Sequence, residues 1–212
     1  MCVRAYRLIR ADFPDLPGIR MHLHKVIPMG AGLGGGSSDG VFALNLINRI
    51  FQLKLSSEKL KDYALKLGSD CPFFLYNQPA FASGRGELLA PVHLELAGHR
   101  CVLVHPGIHI DTGWAFRKLA ESRKGYQESA VDLTTIGDIP FREWRKFLVN
   151  DFEEIAEKAH PEIGHIRREL YRRGAYFASM TGSGSAVFGL FNDNRNSEAN
   201  WNPDWVVHSI GL

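Results

Sequence analysis

Residues 28–38 read Pro-Met-Gly-Ala-Gly-Leu-Gly-Gly-Gly-Ser-Ser, and this glycine-rich segment guides the interpretation of the whole chain. Glycine leaves backbone N–H groups accessible because it has no Cβ. The apolar pattern of residues 38–51 predicts a helix directly after the glycines. A helix adds about half a positive charge at its N-terminus, so the segment predicts an anion site suited to phosphate, with Ser37 and Ser38 as further donors. We expect the buried face of this helix to be formed by Phe42, Leu46 and Ile50.

Several kinds of loop can carry such glycines. A Walker-type loop requires a lysine after the last glycine, and none is present. A dinucleotide fingerprint is formally present as Gly30-x-Gly32-x-x-Gly35, but it requires an acidic residue about 20 positions later. Residues 41–57 contain neither Asp nor Glu. A nucleoside-triphosphate loop of another design and a glycine turn without a ligand remain as alternatives.

Composition narrows the possible classes of protein. The chain has 212 residues, and its formal net charge of +2 gives no electrostatic argument for a nucleic-acid partner. No apolar run approaches the roughly 20 residues of a membrane-spanning helix. Three widely spaced cysteines indicate neither disulfides nor a zinc site, so we predict no bound structural metal and a cytoplasmic location.

The remaining pattern mixes helices and strands, which predicts an α+β fold with one domain over residues 1–88 and a second over 89–212. We predict a helix capped by Ser57 and ended by Gly68, and a mobile surface loop over residues 121–140. Further helices are predicted over residues 112–120, 141–159 and 161–173. Strands are predicted over residues 20–26, 80–83, 87–89, 101–105, 176–180 and 186–191.

The N-terminus looks like the interior of a helix. We predict that its apolar face is buried, and that no residue with a capping side chain precedes it. This pattern indicates a chain that starts inside an element, with a frayed terminal helix as the alternative. The predicted face consists of Tyr6, Leu8, Ile9 and Phe13.

Four motifs in order resemble those of the GHMP kinase superfamily of small-molecule kinases. They are Pro28-x3-Gly32-Leu-Gly-Gly-Gly-Ser-Ser38, Gly68-Ser-Asp70-Cys-Pro72-Phe-Phe, His105-Pro-Gly107 with Thr112 and Phe116, and Met180-Thr-Gly-Ser-Gly184-Ser-Ala-Val-Phe188. The resemblance implies an N-terminal part similar to domain 2 of ribosomal protein S5, lacking its first strands. It also implies a ferredoxin-like C-terminal domain.

The resemblance further implies a reaction and a set of nucleotide-binding residues. ATP, accompanied by Mg²⁺, would phosphorylate a small-molecule cytidine-diphosphate substrate of isoprenoid biosynthesis. Asp70 would be the catalytic base, although an aspartate in a turn is the alternative for the residue taken alone. The residues expected to hold the phosphates are Pro28, Met29, Gly30, Ala31, Gly32, Leu33, Gly34, Gly35, Gly36, Ser37 and Ser38.

The resemblance also implies a substrate site. Phe116 would stack on the cytosine, with Thr112 one helical turn earlier on the same face. Without the resemblance, Phe116 is a helix-core residue and the C-terminal glycines are a hairpin turn. The residues of that turn expected to line the cleft are Thr181, Gly182, Ser183 and Gly184.

One departure from the family concerns its first signature. Family members carry a preceding segment with a catalytic lysine and a Tyr-His pair, and this sequence shows neither. We therefore expect a truncated product or a late start, with impaired activity and low solubility from uncovered apolar sheet surface. The alternatives are a shortened relative that binds nucleotide without catalysis and another small-molecule kinase of the same superfamily.

Overall fold

The computed structural model describes residues 1–122, 132–192 and 200–212, which form two compact units. The first unit comprises Met1–Pro28 and Gly34–Val92, and the second comprises Met29–Leu33 and His93–Leu212. Both contain helices and antiparallel strands, which confirms the α+β prediction. No helix in the described parts of the chain combines the length and apolarity that crossing a membrane requires.

The first unit is built around three helices. Their shared core includes Ala5, Ile9, Val41, Leu44 and Tyr63. α1 starts without a side-chain cap, as predicted, and the rest of its predicted face is only partly buried. The elements are α1 (Cys2–Asp12), α2 (Gly35–Ile50), α3 (Ser57–Leu67), the short α4 (Phe73–Tyr76), and the antiparallel hairpin β1 (Ala80–Ser83) and β2 (Leu88–Pro91).

The buried face of α2 was predicted wrongly. Phe42, Leu46 and Ile50 are 58%, 45% and 60% exposed. The helix buries a neighbouring stripe that includes Leu44 and Ile47. Because α2 is apolar on two sides, its periodicity predicts a helix without indicating which stripe meets α1 and α3.

Two local predictions in this unit also need correction. The N-cap of α3 is Ser56, whose hydroxyl accepts from the N–H of Lys59 at 3.2 Å, and Ser57 is the first helical residue. Gly68 ends the helix as predicted. Residues 20–26 form no strand, because no neighbouring chain in the described residues pairs with their backbone.

The second unit contains a four-stranded antiparallel sheet in the order β4-β5-β3-β6. This is the strand order of a split β-α-β arrangement, as in ferredoxin-like domains. α7 packs on the sheet, and its buried residues Ile163, Ile166 and Leu170 join the core. The elements are β3 (His99–His105), α5 (Thr112–Ser122), α6 (Glu153–Ala159), α7 (Pro161–Arg172), β4 (Phe177–Met180), β5 (Val187–Asn192) and β6 (Val206–Gly211).

Residues 141–159 do not form one helix. A 3₁₀ turn covers Phe141–Lys146, and α6 begins only at Glu153. Between them, Asn150 accepts a hydrogen bond from the N–H of Phe152 at 2.9 Å, a local bond that competes with a continuous helix. Residues 121–140 were predicted to form a mobile surface loop, but α5 reaches Ser122 and Leu133–Asp138 forms a 3₁₀ turn. Its residues 123–131 lie outside the described residues.

Candidate functional site

The residues predicted to hold phosphates fall into both units. Pro28 and residues 34–38 belong to the first unit, and Met29–Leu33 belong to the second. The segment therefore changes unit twice, between Pro28 and Met29 and between Leu33 and Gly34. The two sets have different neighbours and are described separately.

In the second unit, the glycine-rich segment meets the C-terminal glycine motif. The hydroxyl of Thr181 donates to the carbonyl of Gly32 at 2.9 Å. The N–H of Ala186 donates to the carbonyl of Ala31 at 3.1 Å, and the side chain of Ala31 is only 2% exposed. Two motifs that lie far apart in the sequence are thus joined by hydrogen bonds on both sides of the turn at residues 181–184.

Glycine is required where these motifs touch. Gly32 has a φ of +75°, and a Cβ there would lie 2.0 Å from the carbonyl oxygen of Thr181. Gly30 has a φ of +71°, and a Cβ there would lie 2.0 Å from Nδ1 of His109. A larger residue would therefore combine backbone strain with a steric clash at both positions. On either side of them, Met29 is 80% exposed and Leu33 is half-buried.

The turn at residues 181–184 is closed by its own backbone. The N–H of Gly184 donates to the carbonyl of Thr181 at 3.0 Å, and the N–H of Thr181 donates to Ala186 at 2.9 Å. Gly182 and Gly184 have positive φ values of 54° and 92°. The N–H groups of Gly182 and Ser183 have no acceptor among the described residues, so both can donate to a ligand.

α5 brings the predicted substrate residues to this turn. The hydroxyls of Thr112 and Ser183 lie 3.1 Å apart, within hydrogen-bonding distance. Phe116 is 58% exposed, and its ring packs edge-on against Phe152 at 5.0 Å between centroids. An aromatic residue that is more than half exposed is not a helix-core residue, which leaves one face of the ring available for stacking on a planar base.

In the first unit, the start of α2 offers backbone donors. Gly34, with a φ of +64°, precedes the helix, and no side chain caps it. The N–H groups of Gly35, Gly36 and Ser37 have no acceptor among the described residues, as expected for a first helical turn. These groups and the helix dipole together favour an anion at this end.

Lys25 is a residue of this region that the sequence analysis missed. Its Nζ lies 3.1 Å from the position that a Cβ on Gly35 would occupy, and 2.6 Å from Oδ2 of Asp39. Both side chains are about three-quarters buried. In the sequence, only its position as a basic residue shortly before Pro28 could have indicated it. A Walker-type loop carries its lysine after the glycines, so that motif does not point to Lys25.

The segment carrying Asp70 packs against the same helix start. Burial raises the pKa of the Cys71 thiol, and the nearby side chain of Ser37, in the first turn of α2, acts to lower it. Gly34 lies against Phe74, since a Cβ there would be 2.8 Å from the ring. The sequence neighbours of Asp70 are therefore in contact with the first turn of α2.

Asp70 itself is exposed and lies over the β1–β2 turn. Its Oδ1 is 2.8 Å from the position of a Cβ on Gly86, so a side chain there would collide with the carboxylate. This accessible carboxylate can receive a proton from a bound hydroxyl. Its partner Gly86 was not identified from the sequence, although the positive φ of 109° at this turn requires glycine.

The described residues contain no group of three or more His, Cys, Asp or Glu side chains arranged to hold a metal ion. The hydroxyl of Ser38 is one of three side-chain oxygen groups in the first turns of α2, beside those of Ser37 and Asp39.

Family models match both parts of the chain. The GHMP kinases N terminal domain matches residues 1–78, and the GHMP kinases C terminal model matches residues 129–200. The first match contains Asp70 and the whole glycine-rich segment. The second contains the turn at residues 181–184.

Relatives in sequence and structure agree with these matches. The chain is 45% identical to a 4-diphosphocytidyl-2-C-methyl-D-erythritol kinase of Bacteroides thetaiotaomicron, covering 90% of the chain and 68% of the relative. It is 46% identical to the kinase of that name from Azobacteroides pseudotrichonymphae, covering 90% and 70%. A crystal structure of 4-(cytidine 5'-diphospho)-2C-methyl-D-erythritol kinase superposes with a TM-score of 0.69 at 32% identity, covering 89% and 68%. The chain therefore belongs to the GHMP kinase family, together with the 4-diphosphocytidyl-2-C-methyl-D-erythritol kinases that it resembles.

Proposed function

We propose that this chain is an ATP-dependent small-molecule kinase that phosphorylates the 2-hydroxyl of 4-diphosphocytidyl-2-C-methyl-D-erythritol, a step of non-mevalonate isoprenoid biosynthesis. The observation that carries this proposal is the bonding of the glycine-rich segment to a second glycine motif, where both contain N–H groups that have no acceptor among the described residues. Such donors are suited to phosphate oxygens. The names of the relatives supply the identity of the acceptor.

Residues 28–38 hold the phosphates of ATP in this proposal. The N–H groups of Gly35, Gly36 and Ser37, which have no acceptor in the described parts of the chain, bind anionic oxygens. The ammonium group of Lys25, paired with Asp39, lies beside Gly35. Mg²⁺ accompanies the nucleotide and neutralises phosphate charge when bound, with Ser38 as its protein ligand.

Asp70 receives the proton of the acceptor hydroxyl as the oxygen attacks the γ-phosphorus and ADP leaves. Its carboxylate is exposed, and its neighbour Cys71 contacts Ser37 at the start of α2. Phe116 stacks on the cytosine of the substrate. Thr112 and residues 181–184 line the substrate site through hydroxyl and N–H groups.

The test is turnover with ATP, Mg²⁺ and the cytidine substrate, followed by ³¹P NMR to detect a new phosphomonoester and ADP. Binding of a non-hydrolysable ATP analogue is measured in parallel by calorimetry. Turnover with this substrate supports the proposal, and turnover only with another alcohol indicates another GHMP kinase. Nucleotide binding without turnover indicates the non-catalytic alternative, and absence of both overturns the proposal.

Four expectations from the sequence stay predictions. They are the assignment of residues 1–88 as the ATP-binding domain, the impaired activity of a truncated chain, the cytoplasmic location, and the lack of a nucleic-acid partner. The turnover measurement gives the activity of the chain relative to its relatives. The other three need separate experiments on the intact protein.

A further inference from the structure

The turn at residues 181–184 is held from outside by a segment that none of the four motifs contains. This segment runs from the end of the Phe141–Lys146 turn to the start of α6, and it contributes Asn150 and Glu153, the first residue of α6. Both side chains bond the backbone at the end of β4, where the turn begins. The whole arrangement lies within the second unit.

Asn150 makes three hydrogen bonds. Its Nδ2 donates to the carbonyls of Met180 and Gly182, both at 2.8 Å. Its Oδ1 accepts from the N–H of Phe152 at 2.9 Å. This pattern fixes the orientation of the amide, because the reverse orientation would place an oxygen against two carbonyl oxygens.

Glu153 holds the residue before the turn. Its Oε1 accepts from the N–H of Met180 at 2.7 Å and from the hydroxyl of Ser179 at 2.8 Å. The guanidinium of Arg167 lies 3.8 Å from its other oxygen. The backbone of Met180 is therefore bonded on both its N–H and its carbonyl by side chains.

These bonds decide where the free donors of the turn point. Gly182 has a φ of +54° and could adopt other conformations at little cost, since glycine is the least restricted residue. Asn150 binds its carbonyl, and this fixes the peptide plane that also carries the N–H of Ser183. That N–H has no acceptor among the described residues, so its direction is available for a ligand.

We infer that Asn150 is a positioning residue for the proposed kinase reaction: it fixes the turn at residues 181–184 so that the Ser183 N–H and hydroxyl face the cytidine substrate. The inference rests on the proposed function for the identity of that substrate. Only an amide serves here, because an aspartate would keep the bond to Phe152 but place a carboxylate against two carbonyls.

The test compares Asn150→Asp with a matched control, Asn202→Asp. Asn202 accepts from the N–H of Asp204 at 3.0 Å, also two residues later, and its Nδ2 has no acceptor among the described residues. The two variants thus make the same chemical change at the same type of turn. Only Asn150→Asp removes hydrogen bonds to two backbone carbonyls, those of Met180 and Gly182.

Two quantities are measured on the full chain. Amide hydrogen exchange by NMR compares Gly184, within the turn, with Val102, in the middle of the sheet. Calorimetry gives the Kd of 4-diphosphocytidyl-2-C-methyl-D-erythritol. For Asn150→Asp we expect exchange at Gly184 to accelerate by about tenfold more than at Val102, and the Kd to rise by about tenfold, from two lost hydrogen bonds.

The outcomes separate the hypotheses. Equal acceleration at Gly184 and Val102 would mean that Asn150 contributes only to global stability, and it would overturn the inference. A second outcome would also overturn the inference: faster exchange at Gly184 in Asn150→Asp, together with a substrate Kd equal to that of Asn202→Asp. Asn150 would then stabilise the turn without positioning the substrate. If the wild-type chain binds no cytidine substrate, the proposed function fails, and the exchange comparison still decides whether Asn150 holds the turn.

Discussion

Thr181 donates its hydroxyl to the carbonyl of Gly32 at 2.9 Å, across 149 positions of sequence. This bond joins the two glycine motifs of the second unit. On the other side of the turn, Ala186 donates its N–H to Ala31. The glycine-rich stretch Met29–Leu33 therefore depends on a partner that lies near the other end of the chain.

Replacement of Thr181 by Val should destabilise the protein. Valine has nearly the same shape but no hydroxyl, so the carbonyl of Gly32 loses its donor. We expect a loss of about 1 kcal/mol in the free energy of unfolding, measured by urea denaturation. Thr181→Ser retains the hydroxyl and should recover most of this loss. Equal stability of the Val and Ser variants would show that the bond contributes little.

Replacement of Gly32 by Ala should be more severe. A Cβ would lie 2.0 Å from the Thr181 carbonyl oxygen at a positive φ, and backbone cannot move aside as a flexible side chain can. We expect a loss of at least about 2 kcal/mol in the free energy of unfolding, together with loss of ATP-analogue binding. The control is Gly211→Ala in β6, where no atom of the described residues lies within 4 Å of the added Cβ. An unfolding free energy equal to that of the control would contradict the prediction.

Stability should decrease in mild acid because of His105. This residue is 7% exposed, its Nε2 has no partner among the described residues, and burial lowers the pKa of its imidazole. Its Nδ1 accepts from the N–H of Gly107 at 3.2 Å, a bond that protonation at Nδ1 would break. The unfolded chain then binds a proton more readily than the folded one, so stability is full above about pH 6.5 and falls as the pH drops toward the lowered pKa.

The measurement is the free energy of unfolding by urea between pH 7.5 and about pH 5. His105→Gln should flatten this dependence. The matched control is His208→Gln on β6, an exposed histidine, which should leave the dependence as it is in the wild type. An unchanged slope in the His105 variant would mean that other groups cause the loss in acid.

Replacement of Asp70 by Asn should remove the proton acceptor and preserve the shape of the site. We expect turnover to fall by about 10² to 10⁴, since a positioned base contributes that range. Affinity for the non-hydrolysable ATP analogue should stay within about twofold, because the carboxylate is assigned to the acceptor hydroxyl. Asp62→Asn, an exposed position on α3, should retain wild-type turnover. Equal turnover of the two variants would remove Asp70 from the proposed mechanism.

The sequence predicted most elements because helices and hairpins depend on local signals. Gly68 ends α3, and the glycines at 182 and 184 lie in the turn between β4 and β5, as expected. The strand predicted from the alternating pattern of residues 20–26 is absent, and the reason is physical. A strand exists only where another strand bonds it, and sequence alternation does not reveal that partner.

Parts of the candidate site were also beyond reach of local patterns. The contact between Gly32 and Thr181 requires knowledge of the tertiary structure, and so does the approach of Lys25 to Gly35. Asn150 falls inside the helix predicted over residues 141–159, and the sequence gives no sign of its two carbonyl partners, which lie about 30 positions later. The resemblance to a family identified the motifs, whereas the bonds between them came from the structure.

The assignment of Met29–Leu33 to the second unit has a practical consequence for dissecting this gene. A C-terminal half expressed from residue 93 onward would lack these five residues. This half would lose the carbonyls of Ala31 and Gly32, which accept hydrogen bonds from Ala186 and Thr181. A cavity would also replace the buried methyl group of Ala31. A self-sufficient C-terminal half must therefore be engineered as a rearranged chain in which the short glycine stretch is grafted back through a linker.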